Sequence, residues 1–286
     1  MTHSRKQFLQ LSAGAFGALA FSPLLNSLPD NHAAKLKTFG LQLYTIRDLF
    51  EKDPKGALKQ IAGLGYKQVE GYERASGIFW GMKNTELKKY IDGLGMSFIS
   101  SHCEIDKDFE RKANEAAEID MKYLIYNWPF SWQPMDEYKK MAVQFNRCGE
   151  ICRKAGIRFA YHNYVSSFQM IDGVFPHDVL MKETDATLVD HQMDIYWLVV
   201  AGQDPEVWFK KYPNRFRLCH IKDRTKGSTG EHDTCDLGAG SIDFPKILKT
   251  AKKNGMQYYI AEQEDYAVSS LESVKNDAEY MKRLRL

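Results

Sequence analysis

The sequence predicts a (β/α)8 barrel, and three observations lead to this fold class. Short apolar segments alternate with helical segments about eight times over roughly 250 residues, the usual size of such a barrel. Several of the apolar segments end in a His, Asp or Glu and continue as a loop: 97–102, 157–162, 188–194, 215–224 and 257–262. No glycine-rich phosphate turn follows the first segment, so the pattern favours the barrel over a doubly wound open sheet.

The first half of the predicted barrel contains four strand–helix units. Pro54 near the start and Gly65 after the end delimit the first helix. Asn84 is a capping residue for the second helix, Gly95 follows that helix, and Gly156 follows the fourth. The predicted strands are 37–44, 67–72, 96–102 and 122–128, and the predicted helices are 54–64, 84–94, 107–119 and 136–155.

The second half repeats the same unit. Phe216, Leu218 and Ile221 give residues 215–223 the apolar character of a strand, and Gly255 follows the helix after it. The predicted strands are 157–163, one within 187–197, 215–223 and 257–262, and the predicted helices are 177–184, 205–212, 243–254 and 268–284. No interdomain linker interrupts the pattern, so residues 35–286 are expected to form one barrel domain.

The first 34 residues differ in kind from the rest. Arg5 and Lys6 precede Phe8, and an apolar run rich in small residues follows over 11–21. This order is typical of an export signal, and it resembles the twin-arginine type with one Arg replaced by Lys. The general secretory route and the absence of export are the alternatives. The apolar run is too short for a membrane span, so we expect a periplasmic protein without membrane insertion after removal of the signal.

Composition limits the classes of partner. The 286 residues carry 39 Lys and Arg against 37 Asp and Glu, a formal net charge of +2. A nucleic-acid-binding surface normally shows a basic cluster, so no nucleic-acid partner is expected. A small carbohydrate is the expected ligand, and the sequence leaves oligomerisation open.

Five strand ends supply side chains that bind metals or move protons. In a (β/α)8 barrel, the carboxyl ends of the strands face the active site. A single His at a strand end is more often structural, but five such ends in one alternating pattern indicate a shared site. The candidates are His102, His162, Asp194, His220 and Glu262.

A set of motifs, in order along the chain, identifies a resemblance. The motifs are Gly-Leu-Gln-Leu-Tyr-Thr-Ile-Arg-Asp at 40–48, Tyr-His-Asn at 161–163, Met-Asp-Ile-Tyr-Trp at 193–197, Ala-Gly-Gln-Asp-Pro at 201–205, His-Ile-Lys-Asp at 220–223 and Ala-Glu-Gln at 261–263. Together they resemble the sugar phosphate isomerase/epimerase family, the xylose isomerase-like TIM barrels, and in particular exported members. The resemblance covers residues 36 to 286.

The resemblance implies one divalent metal held at the ends of strands five to eight. Relatives that epimerise ketoses usually ligate it through Glu, Asp, His and Glu, and the matching residues here are His162, Asp194, His220 and Glu262. His162 therefore replaces a Glu, and Gln192 stands where exported members usually carry a second Glu. The motifs are specific for the superfamily rather than for one substrate.

The ligand set suggests the cation and the chemistry. Mixed nitrogen and oxygen ligands suit Mn2+ best here, with Co2+, Fe2+, Zn2+ or Mg2+ as alternatives. Such a cation would stabilise an enediolate formed by removal of a proton next to a carbonyl. Glu262 is the expected base as well as a ligand, His102 and Glu70 are the other candidates, and Lys222 could hold an oxyanion.

Four residues are expected to bind the substrate. Trp128 and Trp197 follow strand ends and could stack on a sugar ring, although packing under a loop is the alternative. Arg47 could bind a carboxylate or phosphate of the substrate. Asp223 could contact the substrate or pair with Lys222 at the rim.

The functional expectation is a metal-dependent sugar isomerase or epimerase that acts through an enediolate on a free or oxidised sugar. A lyase that acts by β-elimination on a 3-keto-glycoside is the first alternative, because it needs the same enediolate. A non-catalytic sugar-binding barrel is the second, because two acidic groups of related sites are absent. An endonuclease with this fold would need more metal ligands and a basic surface.

Overall fold

In the computed structural model, the described residues are 34–128 and 131–286, and in them eight parallel strands close into a barrel. The order around the barrel is β1-β10-β7-β6-β5-β4-β3-β2, so the first and last barrel strands pair. The predicted fold class is confirmed. The barrel strands are β1 Gly40–Gln42, β2 Gln68–Tyr72, β3 Ser97–His102, β4 Tyr123–Asn127, β5 Arg158–His162, β6 Val189–Asp194, β7 Phe216–Ile221 and β10 Tyr258–Ala261.

Helices cover the outside of the barrel, and a short hairpin lies between β7 and β10. The hairpin strands are β8 Asp223–Arg224 and β9 Thr234–Cys235. The helices are α1 Arg47–Phe50, α2 Pro54–Leu64, α3 Asn84–Gly93, α4 Phe109–Glu118, α5 Met135–Ala155, α6 Pro176–Glu183, α7 Ile195–Val200, α8 Pro205–Lys211, α9 Phe244–Lys253 and α10 Ser270–Arg283. None of these helices is long and apolar enough to cross a membrane. The predicted export signal lies outside the described residues, apart from Ala34.

Local sequence signals set the helix boundaries. The Asp53 side chain accepts a hydrogen bond from Gly56 N and caps α2, whose first residue is Pro54. Gly65 ends that helix with φ +103°, a conformation that favours glycine. The predicted and observed bounds of α2 therefore coincide.

One predicted strand is shorter than expected, and another ends at the expected residue. The first ends at Gln42, where a 3-10 turn over Leu43–Ile46 begins. β6 ends at Asp194, because the side chain of Asp194 caps α7 by accepting a hydrogen bond from Trp197 N at 3.1 Å. Trp197 thus lies in the first turn of α7, just after the strand end.

An apolar layer fills the barrel below the strand ends. It consists of the buried residues Ile99, Tyr123, Ile125, Ala160, Leu218 and Ile260. Side chains two residues apart on a strand share a face, so Ala160 and Leu218 place His162 and His220 directly above this layer. The polar strand ends therefore rest on a packed, mainly apolar floor.

Candidate metal and active site

The side chains of the four expected ligands meet around one nitrogen, His220 Nδ1. It lies 3.2 Å from His162 Nε2, 3.0 Å from Glu262 Oε2 and 3.8 Å from Asp194 Oδ2. His162 Nε2 is also 3.6 Å from Asp194 Oδ2. Strand register explains part of this convergence, since Asp194 pairs with His220 across β6 and β7. The ligand atoms of His162, Asp194 and His220 all lie within 4.8 Å of one another.

The donor set fits a divalent cation. Atoms that share a cation at about 2.1 Å are separated by roughly 3 to 4 Å, which agrees with the spacing here. Asp194 Oδ2 and His162 Nδ1 are buried and accept or donate no hydrogen bond in the described structure. Burial lowers the pKa of His162 to about 4, so its imidazole is neutral and able to ligate. The four residues could therefore hold a transition metal through two nitrogens and two carboxylates.

Lys222 neutralises the carboxylates of this set. Its Nζ lies 3.1 Å from Asp194 Oδ2, outside hydrogen-bond geometry, 3.1 Å from Glu262 Oε2 and 2.7 Å from Glu264 Oε1. Burial would lower the pKa of Lys222, but the three carboxylates raise it well above its usual range. Lys222 is fully buried and does not border the cavity described below. The expectation that Lys222 contacts a substrate oxyanion is therefore corrected. Its role in this structure is to position the carboxylates around it.

The carboxylates are held in the charged form. Burial would raise the pKa of Asp194, but Lys222 and the neighbouring imidazoles hold it well below its usual range. Burial would also raise the pKa of Glu262, and His220 and Lys222 lower it instead. Both groups are therefore anionic ligand candidates at neutral pH.

Glu70 forms the centre of a buried network deeper in the barrel. Its Oε1 accepts from Gln42 Nε2 at 2.9 Å and faces His220 Nε2 at 2.5 Å. Its Oε2 accepts from Ser100 Oγ at 2.6 Å and from Gln192 Nε2 at 2.7 Å. Burial would raise the pKa of Glu70, but His102 and His220 hold it well below its usual range. The carboxylate is fully buried and saturated, so its expected role as a base is corrected to that of orienting His220.

An amide suits position 192 better than a carboxylate, because the side chain of Gln192 lies against the carboxylate of Glu70. Its amide nitrogen donates to Glu70, which directs its Oε1 toward His102 Nε2 at 2.8 Å. A Glu at position 192 would place a second negative charge against the carboxylate of Glu70 and would have no N–H to donate to it. Glu70, His102 and His220 also lie close enough to hold a metal, but both oxygens of Glu70 are already engaged.

A cavity of about 1400 Å³ opens above the site. His102, His162, Trp197 and Glu262 border it, so these expected site residues are reachable by a ligand. The indole nitrogen of Trp197 is buried and has no hydrogen-bond partner. Protein atoms cover this nitrogen, so the ring of Trp197 is the part that a bound molecule can contact.

Two residues expected to bind substrate lie outside the cavity lining. Arg47 donates to the Tyr266 hydroxyl at 2.7 Å and to the Glu264 carbonyl at 3.0 Å, which joins the loops after β1 and β10. Trp128 packs edge to face on Tyr138, with ring centroids 5.5 Å apart. Both expectations are corrected, because the groups are used within the protein.

Asp223 is corrected in the same way. Its Oδ1 accepts from Arg224 N at 2.8 Å and Ile242 N at 3.1 Å. Its Oδ2 accepts from Gly238 N at 2.9 Å and Gly240 N at 3.1 Å. With four backbone donors, this buried carboxylate fixes the loop after β7 and does not contact the cavity.

Sequence reasoning missed Glu264 and the supporting residues Gln42 and Ser100. Period-two spacing was an available signal, because Glu264 follows Glu262 by two positions and Ser100 precedes His102 by two. For Gln42 the chain alone gives no comparable signal, since its partner Glu70 is 28 positions away.

Comparison with known proteins defines the family. A family model described as the xylose isomerase-like TIM barrel matches residues 58–284. The chain belongs to this family. The resemblance inferred from the motifs is thereby confirmed.

The proteins that are similar to this chain carry the names of different activities. Inosose dehydratase of Clostridium perfringens is 29% identical over 164 residues, 51% of this chain and 54% of that protein, so the match spans about half the length of this curated relative. A sugar phosphate isomerase/epimerase structure from Parabacteroides distasonis is 29% identical with a TM-score of 0.75, over 88% of this chain and 95% of that one. The structure of the IOLI protein with a binding zinc atom is 14% identical with a TM-score of 0.67, over 85% and 95%, and shows the fold alone.

Proposed function

We propose that the protein is a metal-dependent lyase that removes a proton next to a ketone of a sugar-like substrate and expels an oxygen substituent from the following carbon. One observation carries the proposal. Of the four converging residues, His162 and Glu262 border the cavity, and Glu262 is the one of the four that brings a carboxylate there. The neighbouring carboxylate of Glu264 is paired with Lys222 at 2.7 Å. A two-base epimerase needs proton carriers on both faces of the substrate, whereas a syn elimination needs one group that takes the proton and returns it.

Glu262 supplies that group. Its carboxylate takes the α-proton, the carbon–oxygen bond at the β-carbon breaks as the carbon–carbon double bond forms, and the same proton passes to the leaving oxygen. When bound, a divalent cation supplies Lewis-acid stabilisation of the negative charge on the substrate oxygens. Lys222 and His220 hold Oε2 of Glu262 in place, and the ring of Trp197 borders the cavity where the substrate would bind.

The relatives support this reaction class. The name inosose dehydratase describes elimination of water from a keto polyol, which follows the same proton removal and β-departure. An isomerase or epimerase is the second candidate, because the Parabacteroides structure with that name covers nearly the whole barrel at 29% identity. The enediolate expected from the sequence is common to both reactions.

We further propose that His162, Asp194, His220 and Glu262 are the metal ligands, with Mn2+ as the first cation to test and Zn2+ as the second. The zinc atom of the IOLI protein supports the use of this fold for metal binding. Export to the periplasm through residues 1–34 remains a proposal, which N-terminal sequencing of protein from fractionated cells would test.

Product analysis tests the function. The metal-loaded protein would be incubated with a keto-inositol, a 3-keto-glycoside and a ketose, and the products followed by 1H and 13C NMR. Elimination predicts a new vinylic signal and release of water or an alcohol. Inversion or carbonyl migration without loss of a substituent would replace the lyase with the second candidate.

A further inference from the structure

The cavity extends well beyond the metal-site residues. Its volume of about 1400 Å³ exceeds the roughly 300–1,000 Å³ usual for small-molecule pockets, and a single sugar ring needs only the lower part of that range. The additional space lies over the loops after β2 and β3, where Arg74, Phe79, Met82 and Lys112 border it. We call this part the outer compartment.

The walls of the outer compartment are fixed by a buried cation. Lys112 is 3% exposed, and its Nζ contacts Glu73 Oε2 at 2.8 Å, the Glu104 carbonyl at 3.0 Å and Asp106 Oδ1 at 3.2 Å. Glu104 N also donates to Glu73 Oε2 at 2.8 Å. These contacts join the two loops, so the compartment exists before a ligand arrives.

The charged groups that border the compartment give no net attraction for an anion. Five acids (Glu73, Glu104, Asp106, Asp108 and Glu115) border it, against four bases (Arg74, Lys83, Arg111 and Lys112). Three of the bases are paired: Arg74 with Glu51 at 2.7 Å, Arg111 with Glu115 at 2.8 Å and Lys112 with Glu73 at 2.8 Å. A phosphate or carboxylate would face excess negative charge without a preformed bidentate partner.

Aromatic groups line the passage between the two parts. Tyr44 borders the cavity with 37% of its surface exposed, and it packs edge to face on Tyr72 at a centroid distance of 5.4 Å. Arg74 lies 4.9 Å from the Tyr72 ring centroid. Exposed aromatic surface beside polar groups suits an uncharged hydroxylated ring.

We propose that the substrate is a two-unit glycoside, with the keto sugar at the metal site and an uncharged second unit, such as a sugar ring, in the outer compartment. This inference rests on the proposed elimination for its chemical outcome. The bond that breaks joins the β-carbon to the glycosidic oxygen, so the leaving group is the alcohol of the second unit, which receives the α-proton. A free keto polyol, which loses water, leaves the outer compartment empty.

The test is a binding comparison that does not depend on turnover. Trehalose, cellobiose, methyl α-glucoside and glucose 6-phosphate carry no ketone and are not consumed. Their Kd values for the full-length, metal-loaded protein would be measured by ligand-observed NMR titration. The tighter of the two disaccharides should bind at least about tenfold better than methyl α-glucoside, and the phosphate should gain no affinity. Equal affinities, tightest binding of the phosphate, or no disaccharide binding would overturn the inference.

Two variants localise the effect. Met82→Trp narrows the outer compartment and should remove the affinity advantage of the disaccharide. Val143→Trp adds the same bulk on α5 at a residue that is 55% exposed and outside the cavity lining, so it should keep that advantage. If the preference for two rings holds but 3-keto-disaccharides are bound without elimination, the proposed function fails while this inference stands.

Discussion

Glu70 Oε1 and His220 Nε2 are 2.5 Å apart, although the two residues are separated by 150 positions in the sequence. The carboxylate accepts the proton on Nε2, so Nδ1 is the nitrogen that faces His162 and Glu262. A histidine that ligates a metal through one nitrogen usually donates its other N–H in this manner. Burial would lower the pKa of His220, but Glu262 and Glu70 raise it well above its usual range. A metal ion at Nδ1 would therefore displace the proton there, while Glu70 keeps the proton on Nε2.

Glu70→Gln should weaken metal binding about 10- to 100-fold, because the charge that orients and polarises His220 is lost. Chelator competition with Mn2+ or Zn2+ measures the affinity directly. Glu110→Gln, at an exposed residue of α4, is the matched control and should bind metal like the wild type. Unchanged affinity in Glu70→Gln would contradict the orienting role.

Lys222→Met should strengthen metal binding, by at least about tenfold, since the ammonium lies 3.1 Å from an oxygen of each proposed carboxylate ligand and repels a cation placed there. The same change should lower the melting temperature of the metal-free protein, because three carboxylates lose their common counter-ion. Calorimetric titration and thermal melts with and without metal give both values. Weaker metal binding would contradict the prediction and show that the positioning of the carboxylates by Lys222 outweighs its repulsion of the cation.

Glu262→Gln should reduce turnover by at least about 10²-fold, the usual scale for loss of a positioned base. Metal occupancy should fall far less, because the amide oxygen and three other ligands remain. Exchange of the substrate α-proton with solvent deuterium provides the readout. Exchange at the wild-type rate in a metal-loaded Glu262→Gln protein would assign the base to another residue, with His102 as the nearest cavity-facing candidate.

Trp197→Phe and Trp128→Phe form a matched pair. Trp197 borders the cavity, so its change should lower kcat/KM by up to about tenfold, because the smaller ring contacts less of the substrate. Trp128 packs on Tyr138 outside the cavity lining, and its change should leave kcat/KM within about twofold while lowering the melting temperature. Equal kinetic effects would place both rings at the substrate.

Asp277 predicts a pH dependence of stability. Burial raises its pKa to about 8, so the folded protein holds a proton that the unfolded chain releases near pH 4. Stability from this group is therefore fully present below about pH 4 and is lost as the pH rises toward 8, by at most about 1.4 kcal/mol per unit. Asp277→Asn should flatten this part of the melting-temperature profile, and Glu272→Gln, exposed on the same helix, should not.

The sequence was most informative where the signal was local. Helix α2, for example, follows from Asp53, Pro54 and Gly65, each of which acts within a few residues. Strand-end positions of His162, Asp194, His220 and Glu262 follow from the barrel pattern, because carboxyl ends of the strands share one face. The convergence of these side chains on one nitrogen appears only in three dimensions.

What the sequence could not reveal was the use of each side chain. Arg47, Trp128 and Asp223 occupy plausible rim positions, but no local pattern specifies their partners, which are loop atoms for Arg47 and Asp223 and the ring of Tyr138 on α5 for Trp128. Capping by Asp194 likewise starts α7 directly after β6, a helix that the sequence did not predict, and Trp197 on that helix borders the cavity. Contacts between residues far apart in the sequence determine these roles, and such contacts cannot be inferred from one sequence alone.

The network around Glu70 ties together strands on opposite sides of the barrel, from Gln42 on β1 to Gln192 on β6 and His220 on β7. Each of these contacts holds strands of the closed barrel together and also helps to position a side chain of the proposed metal site. A substitution at one of these positions requires a compensating substitution at another. Tyr44, Met82 or Lys83, in contrast, can be substituted without changes outside their own loop. New substrate preferences in descendants of this protein should therefore arise by substitution of residues at the rim of the cavity, while the network around Glu70 stays unchanged.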